Sequence, residues 1–314
     1  MTTSPTGSVR ARRDAGTSKS RLMKSLREAL ITAVFAGPGA LLLALMSIYP
    51  MFVLLRMSVS SVGISNLIGF WPFVGVENFV VVLSSTTFQT VAVQTIVFVV
   101  FVLVATMLVG LIVAVVLRPS RGFSLVTQTT VVLVWTLPLV IVGAFSKFLL
   151  SSQGAVNQAL QALGLIREPI PFLSEPSTVL TAIAVVTVWV GVPFAALVIK
   201  SAILDVPEEL LDAARVDGAK SRQVITKIVL PMIRPTLLIL AVLTVVGAFK
   251  AFDLIYTMTT GGPGTSSNTI SFLGYVTAFQ SYQFGQAGAI SVIAMLIVLG
   301  LAIAYIAAVR KEER

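Results

Sequence analysis

Few residues in this sequence could do covalent, redox or acid-base chemistry. Its 314 residues include no Cys and no His, so a thiol nucleophile, Cys/His zinc sites, a His-ligated haem, a histidine proton relay and a disulfide framework are all excluded. No G-x-x-x-x-G-K-[ST] phosphate loop occurs, so the chain carries no ATP-hydrolysing motif of that kind. Two sets of ionisable residues remain. One is a run from Asp205 through Glu208, Glu209, Asp212 and Asp217, with Arg215 inside it. The other is Lys250 and Asp253, spaced i, i+3 in an apolar stretch, where burying either charge alone would cost about 2.5 to 3.5 kcal/mol. That cost predicts that the two pair with each other, as a structural ion pair or at the interface, in preference to coupling protons. The acids do not cluster within the apolar segments, which leaves no constellation for acid, base or metal catalysis.

The elements that position these residues follow from composition. With 56% hydrophobic and 11% charged residues, the chain cannot cover itself with a water-compatible surface, and the lipid bilayer must be its solvent. A hydrocarbon core roughly 30 Å thick needs about 20 apolar residues in a helix. Six segments qualify: Leu30 to Leu55, Phe88 to Leu117, Phe123 to Leu150, Val179 to Ile199, Thr236 to Ile255 and Ala287 to Val309. Their lengths exclude spanning strands and predict an all-α membrane protein with about six transmembrane helices.

The formal net charge of +9 sits between apolar runs and not on a polar face, so it reads as a topology signal with no nucleic-acid partner. Lys and Arg number seven in the first 29 residues, two at Arg118 and Arg121, six in Lys200 to Arg234 and three after Val309. Only Arg56, Lys147 and Arg167 fall on the other side. Both termini and the 200–234 loop are therefore expected in the cytoplasm of a multi-pass inner-membrane protein. Residues 1–29 read as a disordered basic tail without a signal-peptide cleavage site, residues 30–309 as the membrane domain, and residues 310–314 as a second cytoplasmic tail.

The 200–234 loop predicts two short helices. Asp205 is placed to cap a helix whose first turn holds Pro207, Glu208 and Glu209, a composition suited to the positive end of a helix dipole. Gly218 supplies the left-handed residue that ends it. Val224, Ile225, Ile228 and Val229 then repeat at helical spacing until Pro231, and Pro235 opens the next span.

The run Pro207 to Ala219, containing Asp212-Ala213-Ala214 and Asp217-Gly218-Ala219, followed by Ile228-Val229-Leu230-Pro231, resembles the EAA loop of ABC-importer permeases. Asp212 stands where that motif usually has Glu, and Ile225 where it often has Phe. The resemblance extends after residue 35 through Gly75-Val76-Glu77-Asn78-Phe79, Trp135-Thr136-Leu137-Pro138, Gly154-Ala155-Val156-Asn157, Leu163-Gly164-Leu165 and Thr260-Gly261-Gly262-Pro263-Gly264. Together these are similar to the carbohydrate branch, the maltose-type first permease.

That resemblance implies the type I importer architecture, with a coupling helix between spans four and five that enters a cleft of an ATPase subunit. It assigns coupling to Glu208, Glu209, Asp212, Ala213, Ala214, Asp217 and Gly218, and binding-protein docking to Gly261, Gly262 and Pro263. It also implies the partners: a second homologous permease, two ATP-binding subunits carrying ATP and Mg, and an external substrate-binding protein. The chain itself binds no cofactor or metal and is not an enzyme on this reading.

Thr187, Val190, Gly191 and Phe194 in span four lie at i, i+3, i+4 and i+7, and Thr244, Gly247, Ala248 and Ala251 repeat that spacing in span five. The two stripes match where the maltose-type permease lines its sugar path, with Phe194 placed to stack on a pyranose face. Gly and Ala at these positions serve close helix packing equally well. The expected cargo is a neutral di- or oligosaccharide such as trehalose or maltose. Glycerol-3-phosphate or a glycerophosphodiester is the alternative, disfavoured by the lack of an Arg cluster in the outer loops. An ion-coupled secondary transporter would need internal repeats and more intramembrane charges than this chain has.

Overall fold

The computed structural model describes residues 34–116, 129 and 132–312. The expected 1–29 tail lies outside them. The chain divides into two units, 1–56 and 57–314. Helix α1, Val34–Ser58, accounts for the described part of the first and is long and apolar enough to cross a bilayer.

The second unit contains α2 (Glu77–Ser84), α3 (Thr86–Val116), α4 (Leu139–Leu149), α5 (Ala155–Ala162), α6 (Val179–Leu204), α7 (Glu208–Val216) and α8 (Ser221–Met232). It continues with α9 (Arg234–Phe249), α10 (Asp253–Thr259), α11 (Ile270–Phe279) and α12 (Phe284–Glu312). Among the described residues there is no strand, only an antiparallel bridge between Ser60 and Phe73.

Four helices, α1, α3, α6 and α12, are long and apolar enough to span, and α8 with α9 makes a fifth candidate bent by 73°. The expected third span, Phe123 to Leu150, falls partly on residues 117–128, 130 and 131, outside the described ones. Its described part is interrupted at 136–138 before α4 begins behind Pro138. The fifth expected span is shorter than Thr236 to Ile255, because α9 stops at Phe249 and a new helix starts at Asp253. Ser271 Oγ donates to the Phe249 carbonyl at 2.7 Å, satisfying a helix-end acceptor from another element. The stretch Thr257 to Gln286, which the charge pattern and the gap between the fifth and sixth expected spans assign to an outer loop, contains the ten-residue apolar helix α11, too short to span and packed on α12 and α3. At the other end α12 runs to Glu312, so most of the expected 310–314 tail is helical.

Because α3 is apolar all round, hydrophobicity cannot select its buried face. Small and polar residues do: the buried stripe is Phe88, Val91, Thr95, Phe98, Val102, Thr106, Gly110 and Ala114, at steps of three or four. This stripe packs along α6, and α9 closes against both. One core layer joins Phe98, Val102, Ile183, Val186, Ile255 and Phe272; another joins Ala114, Ala195, Ile199, Leu211, Val229, Ile233 and Leu240. A Cβ added at Gly110 would stand 2.8 Å from Ala195 Cβ, so the helices meet there almost backbone to backbone.

The motif residues outside the membrane helices have structural jobs. Asn157 is fully buried; its Nδ2 donates to the carbonyls of Ser151 (3.1 Å) and Ile170 (2.9 Å), and its Oδ1 accepts from the Ile170 N–H (2.8 Å). Asn78 Nδ2 donates to the carbonyls of Ser58 and Ser60, which carry the approach of Gly285 and Gly288 on α12.

Replacing Gly110 by Ala should cost about 1 to 3 kcal/mol through overpacking. Replacing Gly247, whose added Cβ would meet nothing within 4 Å, should cost nothing by comparison. Thermal unfolding of the two purified variants in detergent measures the difference.

Candidate functional site

All eight residues of the two expected stripes converge on one cavity of about 480 Å³, Ala251 from just past the end of α9. Thr187, Val190, Gly191 and Phe194 enter it from α6, and Thr244, Gly247 and Ala248 from α9. Val102 and Thr106 of α3 form a third wall, and Trp135, Leu137 and Leu139 a fourth. The i, i+3, i+4, i+7 spacing brings each set to a single helix face, and the α6 to α9 crossing brings the two faces together.

The Trp135 and Phe194 rings stack with centroids 5.6 Å apart and planes inclined by 19°. Phe194 therefore offers at most one ring face, and the aromatic surface is shared with Trp135, a residue the sequence places in a motif without pointing to the cavity. The hydroxyls of Thr187 and Thr244 donate to the carbonyls of Ile183 and Leu240, each at 2.8 Å. Their protons are used within their own helices, which leaves oxygen lone pairs as acceptors. Thr106 Oγ1 is buried and has no hydrogen-bond partner among the described residues.

Lys250 and Asp253 also line this cavity, and here the sequence expectation is corrected. They form no ion pair with each other or with any other described residue. The i, i+3 argument assumes one continuous helix, whereas Lys250 is the C-terminal cap of α9 and Asp253 the first residue of α10.

The second expected site is α7. Its N-terminus is set by Pro207, not Asp205, which instead ends α6, and no side chain caps it. Glu208 and Glu209 occupy the first turn, and Gly218 takes φ +76° just beyond the last, as its residue type requires. Leu211 turns inward onto Val206, Val229 and Ile233 and seats the helix, and Ala214 is buried as well. Ala214 is thus not open to a partner, while Glu208, Glu209, Asp212, Ala213, Asp217 and Gly218 are exposed.

Asp212 pairs with Arg215 at 2.6 Å on the surface, a contact worth about 0 to 1 kcal/mol and easily exchanged. Leu210 and Val216, 45% and 87% exposed, are apolar members of the outer face that charge-based reading passes over.

Beyond α7, α8 does not end at Pro231. Ile225–Val229 adopt π-helical register immediately before the proline, widening the turn its ring enters, and the break comes at Ile233.

On the remaining side of the bundle, Gly262 and Pro263 share a 500 Å³ depression with Lys147, Ser151, Ser152 and Ser174. Gly261 is buried at φ +91°, and a Cβ there would collide with Asn268 and the Phe272 ring. Its place is to shape the turn, not to face a partner.

Residues 106–310 match the family described as binding-protein-dependent transport system inner membrane component. The chain belongs to that family. This permease is 32% identical over 242 residues to the diacetylchitobiose uptake system permease protein of Streptomyces coelicolor, covering 76% of this chain and 74% of the relative. It is 31% identical over 239 residues to the trehalose/maltose transport system permease protein of Thermococcus litoralis, covering 75% and 79%. A chain of the bacterial alginate ABC transporter, solved in complex with an alginate pentasaccharide-bound periplasmic protein, superposes with a TM-score of 0.76 at 25% identity, covering 91% of this permease and 96% of that chain. The all-helical importer permease architecture is thereby established, and the subunit is a translocation component, not a catalyst.

The permease should lose transport when the cavity is filled. Gly247→Phe places a ring where a Cβ meets no neighbour, so the protein should reach the membrane at normal levels while uptake falls to background in a radiolabelled-substrate assay.

Proposed function

We propose that this permease carries a sugar, in particular a neutral di- or oligosaccharide such as trehalose or maltose, delivered by an external binding protein. It encloses the path together with a second homologous permease. Two ATP-binding subunits, which hold ATP and Mg, drive it, and this chain binds no cofactor, metal or nucleic acid of its own. Both termini and the 200–234 segment lie in the cytoplasm, and residues 30–309 are the permease domain.

The observation that carries the cargo reading is the cavity itself. Threonine acceptors on two helices face an aromatic wall of Trp135 and Phe194, which suits a ring with hydroxyls on its rim and C–H groups on its face. The relatives named for diacetylchitobiose and for trehalose/maltose support a sugar without choosing one. A glycerophosphodiester gains nothing here, since no Arg lines the cavity and Asp253 stands opposite in sign to Lys250.

Power enters through α7. Its inward residue Leu211 fixes it to the same core layer that holds α6 and α9, so a push on its outer face reaches the cavity walls through packed side chains. Glu208, Glu209, Asp212, Ala213, Asp217 and Gly218, with Leu210 and Val216, form the face offered to the ATPase. Gly262 and Pro263, beside Lys147, form part of the surface offered to the binding protein.

The full set of subunits should copurify, and loaded binding protein should stimulate ATP hydrolysis in proteoliposomes. Gly218→Pro, which cannot hold φ +76°, and Asp212→Lys, which reverses a surface charge without touching the core, should each suppress uptake while basal ATP hydrolysis persists. Uptake driven by an ion gradient with this chain alone would refute the proposal.

A further inference from the structure

We infer that Lys250 and Asp253 are specificity-determining residues: a charged clamp in the cavity wall that grips cargo hydroxyls and selects for an uncharged polyol. The inference rests on the sugar-import reading above and deepens it. Both residues line the cavity, both side chains are exposed, and neither has an ion-pair partner among the described residues.

The break between α9 and α10 makes this arrangement tenable. Lys250 stands at the C-terminal end of α9, where carbonyl dipoles favour a cation, and Asp253 at the N-terminal end of α10, where N–H dipoles favour an anion. Each charge is thus accommodated by the helix end that carries it, and neither has to neutralise the other.

The residues between them hold the break open. Ser271 anchors the Phe249 carbonyl at 2.7 Å, and Phe252 is fixed among aromatic rings, stacked on Tyr256 at 5.6 Å and edge-on to Tyr275 at 5.0 Å. An ammonium group has three donors and no acceptor, and a carboxylate has acceptors only. A sugar hydroxyl is donor and acceptor at once, so neighbouring hydroxyls can satisfy both ends of the clamp together. An anionic or cationic cargo would meet one like charge wherever it bound. Without cargo these two groups are solvated or idle, and of the cavity threonines Thr187 and Thr244 supply acceptors only, their protons being held within their own helices. Beside the Thr106 hydroxyl and the Trp135 indole N–H, Lys250 is the charged donor the site presents to a sugar oxygen.

The test uses the assembled transporter in nanodiscs without its binding protein, with equilibrium binding of radiolabelled trehalose, maltose and diacetylchitobiose. A parallel proteoliposome assay reads sugar delivered per ATP. In Lys250→Gln and in Asp253→Asn, affinity for the best-bound of the three sugars should fall roughly tenfold to a hundredfold, the loss expected for one charge-assisted hydrogen bond. Subunit copurification should persist. The exchange variant carrying both Lys250→Asp and Asp253→Lys should stay impaired, because it also places each charge at the wrong helix end.

Three results overturn the inference: unchanged binding and delivery in both single variants, recovery in the exchange variant, or loss of subunit copurification in the single variants, which would assign the charges to a subunit interface. Failure of the unaltered complex to bind any of the three sugars sinks the sugar reading itself, and is recognised without any variant.

Discussion

The fold depends on how closely α3 can approach α6. In hydrocarbon there is no hydrophobic drive between two apolar helices, so they hold together only where their backbones come near enough for dense contact. Gly110 against Ala195, and Gly191 against Thr106, provide that approach. A bulky residue at either glycine would wedge the pair apart. The cavity lies along this same seam, with Thr106 and Gly191 in its wall, so the contact that holds the bundle together also sets the width of the cavity.

Much of this could be read from sequence because the relevant periods are strong. The small and polar residues at i, i+3, i+4 and i+7 in α6 and α9 marked faces that do meet, and Gly218 marked the end of α7. What could not be read was interruption. Lys250, Ala251 and Phe252 carry no breaking residue, so a long apolar run looked like one helix, and the tie that ends it comes from Ser271 far along the chain. Pro231 misled in the opposite direction: a breaker by type, it is absorbed by π-helical register upstream. Trp135 went unrecognised as a wall of the cavity because its segment approaches Phe194 only in the folded bundle.

The interrupted helices have a common effect. Straight helices of full length would line a path with whatever faces inward every three or four residues and leave their dipoles at the membrane surfaces. Ending α9 and beginning α10 beside the cavity brings helix ends, and charges matched to them, into the cavity wall. The 73° turn between α8 and α9 carries the chain from that wall toward α7 through Ile233, a buried residue shared with the layer that seats α7. The cavity wall and the layer that seats α7 are joined by one continuous stretch of chain.

The outer face of α7 also bears on how the cell must handle this subunit. Leu210 and Val216 leave aliphatic surface beside carboxylates on this helix. A copy made in excess of its companions keeps that surface bare, where it invites self-association or recognition by proteases that survey orphan subunits. On the proposed docking of an ATPase at this face, balanced synthesis of the subunits is what would keep it covered.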